Sequence, residues 1–310
     1  MNSPIADLSY RSYDGPLVAP NTQWWPIAKM MMRLCIKAKG FWVWSILSSW
    51  AYFIYLIVYY VGDASSQGLG NDNFWRLVKW RDDFVNCFGF SQLFLFVVAV
   101  LIGAGSIAND NRANALLVYL SRPITKVDYL LGKWLGIMIP ITCVTFVPMF
   151  IFYAYCGMSY SSHGFFSQDP WLFVQIPIVA ICAGAFQASV VLGVSSLFNQ
   201  SSLSGAAYAA IYFIGIFFTK IVGAIYTFQD EARNSFFRNI YYFSIDGLQI
   251  GIAKVLFGTD GSRLQFLGPN QHTEIARPDI LFIVLVPIIV MVAMITVAWS
   301  RIRPVEIIGG

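Results

Sequence analysis

Six uncharged apolar stretches, each near the length a helix needs to cross a bilayer, constrain this chain more than any other feature. They are Phe41–Val61, Phe88–Ala108, Trp134–Cys156, Trp171–Phe198, Leu203–Thr219 and Ile280–Ser300, and none holds Asp, Glu, Lys, Arg or His. Lipid offers the backbone no hydrogen-bond partner, so segments of this kind cross as helices that satisfy themselves. Only 12% of the 310 residues are charged and 57% are hydrophobic, against about 25% charged in a soluble domain. Too few polar groups remain to cover a soluble globule. The chain reads as an all-α, multi-pass membrane protein, a single transmembrane domain over residues 1–310. A soluble enzyme, a disordered chain and a disulfide scaffold are excluded.

The flanks of the bundle carry further signals. Residues 1–22 read as a tail and 301–310 as another, with the six-span bundle over 41–300. Asp7, Asp14 and four prolines interrupt the first forty residues before any apolar core, so no signal peptide is expected. Across 23–39, Trp24, Trp25, Ile27, Met31, Leu34 and Ala38 can share one broad face, with Lys29, Arg33 and Lys37 on another. That pattern suits an amphipathic helix lying in the membrane interface with its cations among lipid phosphates; the alternative is the first turns of span one. The five cysteines (Cys35, Cys87, Cys143, Cys156, Cys182) follow no metal or redox spacing and read as packing residues.

Positive charge sets the orientation. Arg11, Lys29, Arg33, Lys37 and Lys39 precede span one; Arg112, Arg122, Lys126 and Lys133 lie between spans two and three; Arg301 and Arg303 follow span six. On the other side the first loop offsets its cations with Asp63, Asp72, Asp82 and Asp83, and the third has none. Both termini are therefore expected in the cytoplasm of a cell (inner or plasma) membrane protein. Within the long fifth loop, Ile240–Phe257 is apolar but broken by Asp246, Gly247, Gly251 and Lys254. A re-entrant or interfacial helical segment on the outer side fits, with a seventh, imperfect span as the alternative.

Catalytic equipment is not visible. The spans offer no ionisable residue of the kind that binds a coupling ion, and both histidines, His163 and His272, fall in outer loops. No metal-ligand set and no phosphate-cradling GxxxxGK[ST] occurs; Gly132-Lys133 is followed by Trp134. No catalytic, cofactor-binding or metal residue is therefore assigned to this chain, and nothing in it points to nucleic acid. What the spans do hold is small residues at helical spacing: Ala180, Gly184 and Ala188; Ser201, Gly205 and Ala209; Ala99 and Gly103. These ridges permit close helix approach, within one subunit or between subunits. Pro140, Pro148 and Pro177 sit inside spans, as hinges or as rigid bends.

The loop from Asn109 to Gly136 carries the most information. Asp110 is placed as an N-cap, and Ala113, Leu116, Leu117 and Leu120 follow at helical spacing. Arg122-Pro123 ends that helix. Thr125 with Asp128 then forms a capping box that starts a new helix running into span three. Anchoring against anionic lipid accounts for the charge of Arg112, Arg122, Lys126 and Lys133, but not for a capped, proline-broken helix pair.

The run Asp110-x-Arg112, Leu116, Leu120-Ser121-Arg122-Pro123-Ile124-Thr125, Tyr129-Leu130-Leu131-Gly132-Lys133 and Leu135-Gly136 resembles the permease subunits of ABC type-2 exporters. The tail Arg301-x-Arg303-Pro-Val-Glu306 and the whole topology resemble that family too. One departure is Asn114-Ala115, where many relatives carry Gly-Thr. The resemblance implies that Asp110, Arg112, Ala113, Leu116, Leu117, Leu120, Ser121, Arg122, Pro123 and Thr125 form a cytoplasmic coupling helix and its edge. That helix would dock onto a separate ATPase holding ATP and Mg. It further implies a second permease subunit, identical or related, spans two and five along the pathway, and an outer gate involving Tyr241, Asp246, Gly247, Gly251 and Phe257. A non-transporting structural or regulatory subunit is the alternative; an ion-coupled transporter is disfavoured by the uncharged spans.

Overall fold

The computed structural model describes residues 23–69, 74–75, 78–113, 124–228, 235–261 and 275–302. The described residues are mostly helical and form no strand. Six helical stretches are long and apolar enough to cross a membrane: Lys39–Gly68, Trp80–Arg112, Lys126–Ser159, Leu172–Ser196, Ser201–Ile225 and Ile280–Arg301. They coincide with the six expected spans and extend most of them. Span one consists of α2 (Lys39–Ser48) and α3 (Trp50–Leu69), preceded by α1 (Trp24–Lys37). Span two is α4 (Trp80–Gly103) followed by the short α5 (Ala108–Arg112), and span three is α6 (Lys126–Ser159). Spans four and five are α7 (Leu172–Ser196) and α8 (Ser201–Phe228). The segment between spans five and six forms α9 (Ser235–Tyr241) and α10 (Ile245–Phe257), and span six is α11 (Ile280–Arg301).

Two expectations on span limits are corrected. Span five is not the shortest, because its helix carries on through Lys220, whose ammonium can reach the interface on its long stem. Span two begins eight residues before Phe88 and takes in Arg81, Asp82 and Asp83. These charges are tolerated because each is partnered: Arg81 with Asp169, Asp82 with Thr259, and Asp83 with the Tyr59 hydroxyl.

Span four is the axis of the bundle. Every residue from Phe186 to Ser196 is buried, so this helix has protein on all sides. It packs on α4, α6, α8, α10 and α11. The small-residue ridges are used inside this one chain. Gly184 faces Thr142 and the Met138 carbonyl of span three, Gly103 faces Val191, and Gly205 faces Val100 and Ala104 of span two. Spans one, five and six instead leave broad apolar faces uncovered, with Ile57, Phe217 and Leu281 among the most exposed side chains. The helices run unbroken through Pro140, Pro148 and Pro177, and through Pro287 of span six.

The first helix is held by the same device. Along α1, Ile27, Ala28 and Cys35 are buried at helical spacing, while Trp25 and Leu34, expected on that face, are exposed. Burial follows Gly132 and Gly136 of α6, one turn apart, which admit the backbone of α1: a side chain at Gly132 would fall 2.7 Å from the Trp24 carbonyl oxygen.

Close approach at Gly193 is the strictest. A Cβ there would lie 2.8 Å from the Met294 carbonyl oxygen and 3.0 Å from its Cα, backbone that cannot rotate away. Gly193→Ala should destabilise the protein by about 1–3 kcal/mol through overpacking. Gly68→Ala, which meets nothing within 4 Å, should be neutral or slightly stabilising. Equilibrium unfolding in mixed micelles compares the two.

Candidate functional site

The region that joins spans two and three is built around a lapse in regular helix. Over residues 104–107, between α4 and α5, the backbone leaves the helical ladder. A free N–H or C=O at the membrane boundary is costly, and Ser195 of span four covers three such groups. Its hydroxyl oxygen accepts from the amides of Ile107 and Ala108, both at 3.1 Å, and its proton goes to the Ala104 carbonyl at 2.8 Å.

Lys133 repairs the next position. Although it lies in span three, its Nζ donates to the Ser106 carbonyl at 2.8 Å and pairs with Asp110 Oδ2 at 2.8 Å. The Tyr129 hydroxyl donates to the same Asp110 oxygen at 2.7 Å, and Lys133 also sits above the Tyr129 ring. Lys133 is 5% exposed. The pair thus ties the end of span two to the start of span three, an elbow at the root of the loop.

Two sequence readings change accordingly. Asp110 is not an N-cap; Ile107 holds that position for α5, and the Asp110 carboxylate serves the ion pair. Lys133 is no lipid-facing anchor, because burial and Asp110 claim its ammonium. By contrast the capping box stands as expected. Thr125 Oγ1 accepts from the Asp128 amide at 3.1 Å, and Asp128 Oδ2 accepts from the Thr125 amide at 3.2 Å. Arg112, Ala113 and Thr125 are exposed on either side of the loop. Leu116, Leu117, Leu120, Ser121, Arg122 and Pro123 lie outside the described residues, as does Glu306 in the tail.

At the opposite end, α9 and α10 form two helices separated by a break at Tyr242–Ser244. Ser244 caps α10 by accepting from the Gly247 amide at 3.0 Å, and its hydroxyl donates to Asp246 at 2.7 Å. Gly258, at φ 69°, ends it in the left-handed conformation. Thirteen residues are too few to span the core, which needs about 20.

A cavity of about 420 Å³ opens beside this pair of helices. Of the residues expected at an outer gate, Tyr241, Asp246 and Gly247 line it, together with Asn86 of span two and Lys220 of span five. Burial, and then the Asp246 charge, raise the pKa of the Tyr241 hydroxyl, so it stays a donor. Gly251 and Phe257 are elsewhere: Gly251 packs on Ile283 of span six, and Phe257 is fully buried near Phe84. Lys220, Lys254 and Asn86 were not legible as site residues, because only the fold brings spans two and five to this hairpin.

A family model described as ABC-2 family transporter protein matches residues 4–302. The chain shows no significant similarity to any curated protein.

Removing one partner of the elbow pair should be severe. Lys133→Met leaves the Asp110 carboxylate with Tyr129 alone, and breaking a buried pair from one side costs about 3–5 kcal/mol. A double variant, Asp110→Asn with Lys133→Met, should recover part of that loss. Unfolding of the two singles and the double in the same micelles measures the coupling.

Proposed function

The chain belongs to the ABC-2 transporter family, and from that membership we propose that it is the permease subunit of an ATP-driven exporter. ATP and Mg would bind a separate ATPase subunit, which grips this chain through the segment Ala113–Thr125. Two such permeases, identical or related, would enclose the pathway, with both termini on the ATPase side. The observation that carries this reading is the elbow. An external push is useful only if it moves a membrane helix, and Lys133, bound to both Asp110 and the Ser106 carbonyl, makes the roots of spans two and three one stiff piece.

Each part then has a task. The capping box at Thr125 starts span three without slack. Closure of the ATPases would tilt spans two and three together. Spans two and five would border the pathway, and the polar cavity at Tyr241, Asp246 and Lys220 would be its outer vestibule. No covalent chemistry falls to this chain; its work is mechanical, a difference in affinity for two arrangements of the same helices.

Co-purification tests the reading. An ATPase subunit should accompany the chain through detergent, and Leu116→Asp or Leu117→Asp should abolish that association and any transport-coupled ATP hydrolysis while leaving membrane insertion intact. Retention of the ATPase by both variants, or isolation of a detergent-stable parent without one, would favour a non-transporting structural subunit instead. Screening compounds for stimulation of the co-reconstituted ATPase would then identify the substrate.

A further inference from the structure

A cavity of about 350 Å³ lies between α1, the start of α2 and the lapse in span two, within the size range of small-molecule sites. Two other cavities, of about 380 and 560 Å³, have almost wholly apolar walls, as expected of clefts facing acyl chains. This one is mixed. Met30, Leu34 and Leu101 line it with apolar surface, and Ser106, Asn109 and the Asp110–Lys133 ion pair line it with polar groups. The Ser106 side chain is 3% exposed and its hydroxyl has no hydrogen-bond partner among the described residues. Buried hydroxyls are seldom left in that state.

The rim supplies a second, independent feature. Met30 and Leu34 are more than half exposed, and Arg33 and Lys37 flank them on the same helix, one turn apart. Neither cation pairs with a carboxylate among the described residues. Exposed apolar side chains beside unpaired cations match a molecule with a hydrocarbon tail and an anionic head.

We propose that this cavity binds one anionic phospholipid from the leaflet on the elbow side. Its acyl chain lies along Met30, Leu34 and Leu101, its phosphate rests between Arg33 and Lys37, and an ester carbonyl accepts from the Ser106 hydroxyl. The lipid thereby braces α1 against the root of the elbow. The inference rests on α1 being packed against the start of span three and beside α2, and is independent of any ATPase.

Native mass spectrometry of the purified full chain tests it, with phosphatidylglycerol and phosphatidylcholine of identical acyl chains in equal competition. The parent should retain phosphatidylglycerol at least about tenfold over phosphatidylcholine, a difference that one or two charge contacts supply. Arg33→Gln with Lys37→Gln should bring the two lipids to parity. Ala38→Phe, at an exposed linker position that lines the cavity, should lose both, and Ser106→Ala should weaken retention without changing the preference. Parity in the parent, undiminished retention by Ala38→Phe, or displacement of the lipid by excess inorganic phosphate would each overturn the proposal. Circular dichroism of each variant verifies that the helices are intact, and retention is read whether or not an ATPase is bound.

Discussion

A helix that lapses at the edge of a membrane must hand its backbone groups to something else, and in this protein two side chains from other spans receive them. Ser195 takes the amides of Ile107 and Ala108 and returns a proton to Ala104, while Lys133 takes the carbonyl of Ser106. The rest of the architecture follows from that repair. Ser195 can reach the lapse only because span four is central and buried on every side, and Lys133 only because span three starts at a capped turn one loop away. The stabilising balance at such a site depends on complete pairing, since a half-satisfied polar cluster in low dielectric is worse than none.

Much of this was legible along the chain, and the boundary is physical. Membrane crossing is a local property of composition, so six spans could be read one by one from uncharged runs. Capping at Thr125 and Asp128 is local too, with donor and acceptor three residues apart. Asp110 shows where such reading stops. Its side chain has the chemistry of an N-cap, but its partner Lys133 lies beyond a loop and a turn, and only the fold brings the two within 2.8 Å. Span limits failed for a related reason: charged residues such as Asp82 and Lys220 were assumed to lie outside the helices, yet pairing lets Asp82 sit within the first turn of α4.

The region between spans five and six shows the same division. Ser244, Asp246 and Gly247 form a compact N-terminal cap that sequence can announce. Which of the neighbouring residues share a cavity is a question of how α10 rests on spans two and six, and the answer separates Tyr241, Asp246 and Gly247 from Gly251 and Phe257. Tyr242 fixes that arrangement by donating its hydroxyl to the Ile275 and Ala276 carbonyls just ahead of span six.

Gly132 and Gly136 have a consequence for how forces enter the molecule. Because they let α1 ride directly on the backbone of span three, α1 is geared to that span rather than hinged from it. A pull on α1 is therefore felt first by span three, along the strip of backbone that the two glycines leave bare.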